Sequence, residues 1–174
     1  VLPRRLRSFR RAVIVFRPKP SFAFSHPAHV IAFGAGAGLV PYAPGTAGTL
    51  LAWPIGWMLG GSLPASAVLG LIVTLFALGI WACDVTGRKL GIPDHSSMVW
   101  DEIVAFLLVL AIVPRELAWQ AAAFVLFRLF DIAKPPPIRY FERRYRDGFG
   151  VMFDDILAAA YTLMVLALIK RLFF

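Results

Sequence analysis

Ala65–Cys83 reads ASAVLGLIVTLFALGIWAC, nineteen residues without a single charge. A helix that crosses ~30 Å of hydrocarbon needs roughly 20 such residues, so this stretch predicts a membrane span. Working outward, the same character continues: residues 20–83 contain no Asp, Glu, Lys or Arg. A helix at a water-facing surface needs a polar side, and a run of this length offers none. The whole chain agrees. Of its 174 residues 59% are hydrophobic and 16% charged, with a mean hydropathy of +0.73. Soluble domains are about half apolar and roughly a quarter charged, and disordered chains are poorer still in apolar residues. The sequence therefore predicts an all-α, polytopic membrane protein with about four to five short transmembrane helices.

The other spans are shorter. Thr49–Gly60 is apolar and aromatic, with Pro54 as a candidate kink, and the turn Gly61–Pro64 joins it to Ala65–Cys83 as a helical hairpin. Ile103–Val113 and Leu117–Phe127 flank Pro114-Arg115-Glu116 as a second hairpin, and Ile156–Ile169 closes the chain. That last segment has fourteen residues, about 21 Å of helix, which Lys170 and Arg171 can extend by snorkelling.

Net charge is +8, from 18 Lys+Arg and 10 Asp+Glu. Residues 1–29 carry Arg4, Arg5, Arg7, Arg10, Arg11, Arg17 and Lys19 with no acid, and the apolar run Ala12–Phe16 is too short for a signal peptide. In so apolar a chain this segment reads as a basic membrane-surface element touching the lipid bilayer, not as a nucleic-acid arm. Residues 30–174 then form one domain. Placing the basic start inside puts both turns, 61–64 and 114–116, outside. The polar segments Asp84–Glu102 and Arg128–Asp155 fall inside, with every acid except Glu116. Any chemistry lies on one cytoplasmic face. The lone Cys83 excludes an intrachain disulfide, and nothing in the sequence sets an oligomeric state.

Five carboxylates sit at the ends of these spans: Asp101 and Glu102 open the third, Asp131 follows the fourth, and Asp154 and Asp155 open the fifth. Capping explains one acid per helix N-terminus. Adjacent pairs at two helix starts, plus a further acid on the same side, point more to hard oxygen ligands for Mg²⁺ or Mn²⁺. Neighbours on a helix diverge by about 100°, so the two members of a pair need not share a site. Arg128, Asp131 and Lys134, spaced i, i+3, i+6, share a face if the helix continues to Pro135-Pro136-Pro137. They form either a surface ion-pair ladder or a site in which Arg128 and Lys134 hold a phosphate while Asp131 helps bind the metal. Gly34–Gly48 is no P-loop. Its first five residues suit helix packing, whereas Pro44-Gly45-Thr46 should break a helix and offer N–H groups and the Thr46 hydroxyl to phosphate oxygens. His95, beside Asp94, is a candidate proton donor. No HxxxH, Asp-x-Asp or cysteine-phosphatase spacing is present.

Four ordered motifs carry a family resemblance: GLVPYAPGTAGT (38–49), VWDEIV (99–104), FRLFDIAKPPPIR (127–139) and GFGVMFDDILA (148–158). From about Gly34 to Ala159 the chain resembles the phosphatidylglycerophosphatase A family, departing from it at Asp147 and Ala159, where glycine is usual. The resemblance implies a mostly α-helical, Mg²⁺-dependent bacterial inner-membrane phosphatase whose substrate is a membrane phospholipid, phosphatidylglycerophosphate. The residues agree with that expectation: the metal ligands are expected among Asp101, Glu102, Asp131, Asp154 and Asp155, with Asp101, Asp131, Lys134 and Asp155 catalytic. Gly45, Thr46, Arg128 and Arg139 would bind phosphate. A phosphatase of another lipid or prenyl phosphate uses the same parts, and a non-enzymatic carrier or assembly factor would need no metal.

Overall fold

The computed structural model describes residues 17–173, and every regular element among them is helical. In chain order these are α1 (Pro20–Ala23), α2 (Pro27–Ala32), a 3₁₀ stretch (Gly34–Leu39), α3 (Pro44–Ser62), α4 (Ala65–Leu90), α5 (Trp100–Ile112), α6 (Leu117–Ala133), α7 (Ile138–Arg144) and α8 (Gly148–Phe173). Arg4, Arg5, Arg7, Arg10 and Arg11 lie outside the described residues. Each of the five expected apolar segments falls within one of the five long helices, except that the third overruns α5 by one residue, Val113. By length and composition two of them, α4 and α8, can cross a membrane: each has 26 residues, with mean hydropathy 2.2 and 1.9 over its most apolar stretch.

Three boundaries differ from expectation. Pro44-Gly45-Thr46 starts α3 instead of breaking a helix, because a proline at the first helical position has no N–H to lose and its φ is already helical. Asp154 and Asp155 lie well inside α8 instead of opening it. That helix begins at Gly148, where Asp147 Oδ1 accepts the Gly150 amide at 2.9 Å and caps it. Finally, α6 ends at Ala133, and Lys134 takes the left-handed conformation (φ 43°, ψ 63°), so Lys134 leaves the face it was expected to share with Arg128 and Asp131. Gly34–Gly38, expected to be a packing stripe, is a 3₁₀ stretch in which Gly34, Ala35 and Gly36 all have positive φ.

The two expected hairpins are not the main packing units. α3 lies chiefly along α5, α4 along α2, α5 and α8, and α6 along α8. Small residues decide this. Gly45, Gly48 and Gly56 on one face of α3 press against Glu102, Val99 and Leu110, and a β-carbon at any of the three would collide with them. Gly79 against Met152 and Gly148 against the Ile80 carbonyl bring α4 and α8 together antiparallel. The core is aromatic: Phe106 is fully buried, with ring centroids 5.6 Å from Phe127, 5.9 Å from Phe124 and 6.3 Å from Trp53. Outside, Val73, Val125, Ile132 and Leu168 point away from the protein with more than half of their surface exposed. An apolar exterior of this kind suits lipid.

The register sends the start of α3, the end of α4, the start of α5, the end of α6 and the start of α8 to one end of the bundle. Both short turns sit at the other, where Arg115 donates to the carbonyls of Trp57 (2.7 Å) and Gly60 (3.2 Å). Near this end, in the first turn of α6, the buried Gln120 accepts from Trp53 Nε1 at 2.7 Å. Gln120→Leu is expected to cost about 1–2 kcal/mol by stranding that N–H. A thermal melt in detergent reads this, and the cost should shrink when Trp53→Phe is already present.

Candidate active site

Two acidic groups occupy the end where the five helices meet. In the inner one, Asp101 and Glu102 from the first turn of α5 meet Asp155 from α8, each with a carboxylate oxygen within 4.8 Å of the others. Asp101 and Asp155 are 6% and 4% exposed. Asp101 Oδ1, Glu102 Oε2 and Asp155 Oδ2 are buried with no hydrogen-bond partner among the described residues. Arg128 on α6 reaches the edge of this group, its Nη1 lying 2.7 Å from Asp131 Oδ2 and 3.4 Å from Glu102 Oε1, while its Nε is buried and unpartnered. The Asp131 charge acts on all three inner acids. Gly45 closes one wall: a β-carbon there would strike Glu102 Oε1 and come within 3.0 Å of Arg128 Nη1.

Three buried carboxylates this close repel one another, and buried oxygens without partners are costly. A shared cation relieves both problems. The donors are all carboxylate oxygens, the chemistry that Mg²⁺ and Mn²⁺ prefer. The orphaned oxygens of Asp101, Glu102 and Asp155 therefore fit a divalent ion. Capping does not explain Asp155, which lies inside α8.

The outer group is organised by Lys134. Its Nζ lies 2.8 Å from Asp154 Oδ2, 2.9 Å from Glu142 Oε1 and 3.6 Å from Asp94 Oδ2. Burial works against the ammonium, but the hydrogen bond and charge of Asp154, with Asp94 and Glu142, outweigh it and raise the Lys134 pKa above its ordinary value. The left-handed cap at Lys134 is what turns the side chain away from Arg128 and towards α7 and α8. Removing the lysine as Lys134→Met should strand Asp154 and cost about 3 kcal/mol in an unfolding measurement, the scale of breaking one partner of a buried pair.

The structure thus divides the expected residues. Asp101, Glu102 and Asp155 meet; Asp131, Arg128 and Gly45 border them. Asp154 and Lys134 belong to the outer group. The hundred-degree step between neighbours on α8 sends Asp154 and Asp155 to different groups. Thr46 is half-buried in the first turn of α3. Arg139 is tied by its Nη2 to the Ala133 carbonyl at 2.9 Å, and His95 is buried, its Nδ1 accepting the Ser97 amide at 3.1 Å. Sequence reading did not single out Asp94 and Glu142 as part of a site. The one signal for them was their place in the two polar segments assigned to the same side.

A family model described as phosphatidylglycerophosphatase A matches residues 30–170. The chain is 43% identical over 155 residues to a protein of Haemophilus influenzae named phosphatidylglycerophosphatase A, covering 88% of this chain and 94% of that one. A protein of the same name from Escherichia coli is 38% identical over 149 residues, covering 85% and 86%. A putative phosphatidylinositol-3-phosphatase of Bacteroides thetaiotaomicron is 40% identical over 148 residues, covering 81% and 92%. No solved structure matches the chain.

Proposed function

The chain belongs to the phosphatidylglycerophosphatase A family, and from that membership we propose that it hydrolyses the terminal phosphomonoester of phosphatidylglycerophosphate, a step of phospholipid synthesis in the bacterial inner membrane. It is an enzyme, a phosphatase. The observation that most supports this reading is the inner group, three carboxylates gathered within 4.8 Å, each with a buried unpartnered oxygen, and bordered by Arg128. In this proposal α3, α5 and α6 cross the bilayer with α4 and α8. The acidic end then faces the cytoplasm, as Arg88 and Lys89 at the end of α4 and Arg143 and Arg144 at the end of α7 favour.

Asp101, Glu102 and Asp155 would hold Mg²⁺ or Mn²⁺, which supplies the positive charge that makes a phosphate dianion attackable. The chain's own groups do the rest. Arg128, held by Asp131, turns its free N–H towards a phosphoryl oxygen and opposes the charge that grows there. The first-turn amides of α3 at Gly45 and Thr46 have no partners within their helix, so with the Thr46 hydroxyl they offer further donors. Hydrolysis adds hydroxide to phosphorus and a proton to the departing glycerol oxygen. An inner carboxylate, with Asp155 the choice here, takes the proton from water. His95 is the donor to the leaving oxygen: with Nδ1 accepting from Ser97, the neutral ring carries its proton on Nε2. Lys134 positions Asp154, and Arg139 offers positive charge at the rim.

The name of the Bacteroides relative favours one second reading, the phosphomonoester of a different lipid headgroup. One assay tests both: phosphate release by the purified protein in detergent from phosphatidylglycerophosphate, phosphatidic acid and phosphatidylinositol 3-phosphate, with Mg²⁺ or with EDTA. Fast release from the first, abolished by EDTA, is the expected result. Release chiefly from another of the three would transfer the activity to that headgroup. None from any, by folded protein, would leave a carrier or assembly role.

A further inference from the structure

Between α7, the start of α8 and the 92–94 loop lies a cavity of about 420 Å³, lined by Asp94, Glu142, Arg143, Arg146 and Asp154 among others. Its volume is that of a small-molecule site, roughly 300–1,000 Å³. Three acids in its wall repel an anion; they share the one Lys134 ammonium, which offsets one of their three charges and holds their oxygens away from a ligand. Arg143 and Arg146 are exposed and, among the described residues, pair with no carboxylate. What the cavity offers a ligand is therefore two unspent guanidinium forks, the geometry that suits the paired oxygens of a phosphate ester. It lies near the inner group: two of its lining acids, Asp94 and Asp154, act by their charge on Asp101 and Asp155.

Resting on the phosphatase activity proposed above, we infer that this cavity is a headgroup subsite, in which Arg143 and Arg146 bind the inner phosphodiester of the substrate lipid while its terminal phosphate lies at Asp101, Glu102 and Asp155. A lipid with a single phosphomonoester, such as phosphatidic acid, has nothing to place there. The two arginines thus set substrate preference. Lys134 offsets one of the three acidic charges in the wall, and the two arginines oppose the rest.

The test compares kcat/KM for short-chain phosphatidylglycerophosphate and phosphatidic acid in the full-length protein and in the double variant Arg143→Gln/Arg146→Gln. The preference for the first substrate should fall at least about tenfold, the scale of one lost charge-assisted hydrogen bond. Arg144→Gln, which removes a charge from the same surface but from a side chain that stacks on Tyr145, should leave the preference unchanged. An unchanged preference in the double variant, or an equal loss in the Arg144 variant, would overturn the inference. Direct binding provides a readout free of turnover. Glycerophosphoglycerol, which carries the phosphodiester and no monoester, should bind the wild-type protein and Asp155→Asn but not the double variant. Equal binding of inorganic phosphate at the same arginines would assign the cavity to any free anion and overturn the headgroup role. Wild-type protein that hydrolyses neither lipid but binds glycerophosphoglycerol through the two arginines would sink the activity and leave the subsite standing.

Discussion

Asp155→Asn is expected to lower phosphatidylglycerophosphate turnover by about 10³-fold, the scale of losing a base in the transition state, while leaving the protein as stable as before or more so. The two halves of that result come from one observation. Asp155 contributes a buried, unpartnered oxygen to a group of three carboxylates within 4.8 Å of one another. Turning it into a neutral amide removes repulsion from the folded state, so the melting temperature in EDTA should not fall. The same change removes a ligand. Wild-type protein should gain about 2–3 kcal/mol from Mg²⁺ at a hundredfold excess over its Kd, and the variant should gain far less. Melts in detergent with EDTA and with Mg²⁺, beside the phosphate-release assay, read all three quantities. A variant that loses stability in EDTA would recast Asp155 as a structural residue, and one that keeps its turnover would remove it from the site. Asp131→Asn gives the companion result: activity lost through a loosened Arg128, with the protein still folded.

Gly45→Ala should be nearly as damaging, although it adds one methyl group and removes no functional atom. The new β-carbon would occupy the space of Glu102 Oε1 and crowd Arg128 Nη1. Both side chains are largely buried, 12% and 14% exposed, and have little room to retreat. Overpacking of this kind costs about 1–3 kcal/mol, and a displacement of about 1 Å in a catalytic group lowers rate by about 10². The expected outcome is a fall in kcat of that order with a modest fall in melting temperature. Gly60→Ala is the control, since a β-carbon there meets nothing within 4 Å at the far end of the same helix. Equal effects from the two would mean that helix stiffness, not the fit of Gly45 against Glu102, is being measured.

Much of this protein was legible in its sequence because long apolar runs obey a simple rule. An apolar run must close its own hydrogen bonds and so becomes a helix, which is why the uncharged residues 65–83 identified α4. The two polar segments likewise marked the end where the acids gather. Helix boundaries were less legible. Pro44 reads as a breaker in sequence, but at the first position of a helix it initiates. Asp147 reads as a departure from the family, but its side chain caps α8.

The grouping of the acids was decided in three dimensions. Asp154 and Asp155 are neighbours in sequence and part company because one helical step turns the side chain by about 100°. Arg128 and Lys134 share a periodicity and part company because α6 ends at Ala133 and Lys134 itself takes a positive φ. Asp94 and Glu142 have no spacing that links them to Asp154; the docking of α7 and the 92–94 loop on α8 brings them together. Local composition alone makes the chain helical, apolar on the outside and charged at one end. Which carboxylates face one another, and which faces Lys134, depended on helix rotation and register. Those are set by where glycines let backbones approach, a property of pairs of helices that no single segment contains.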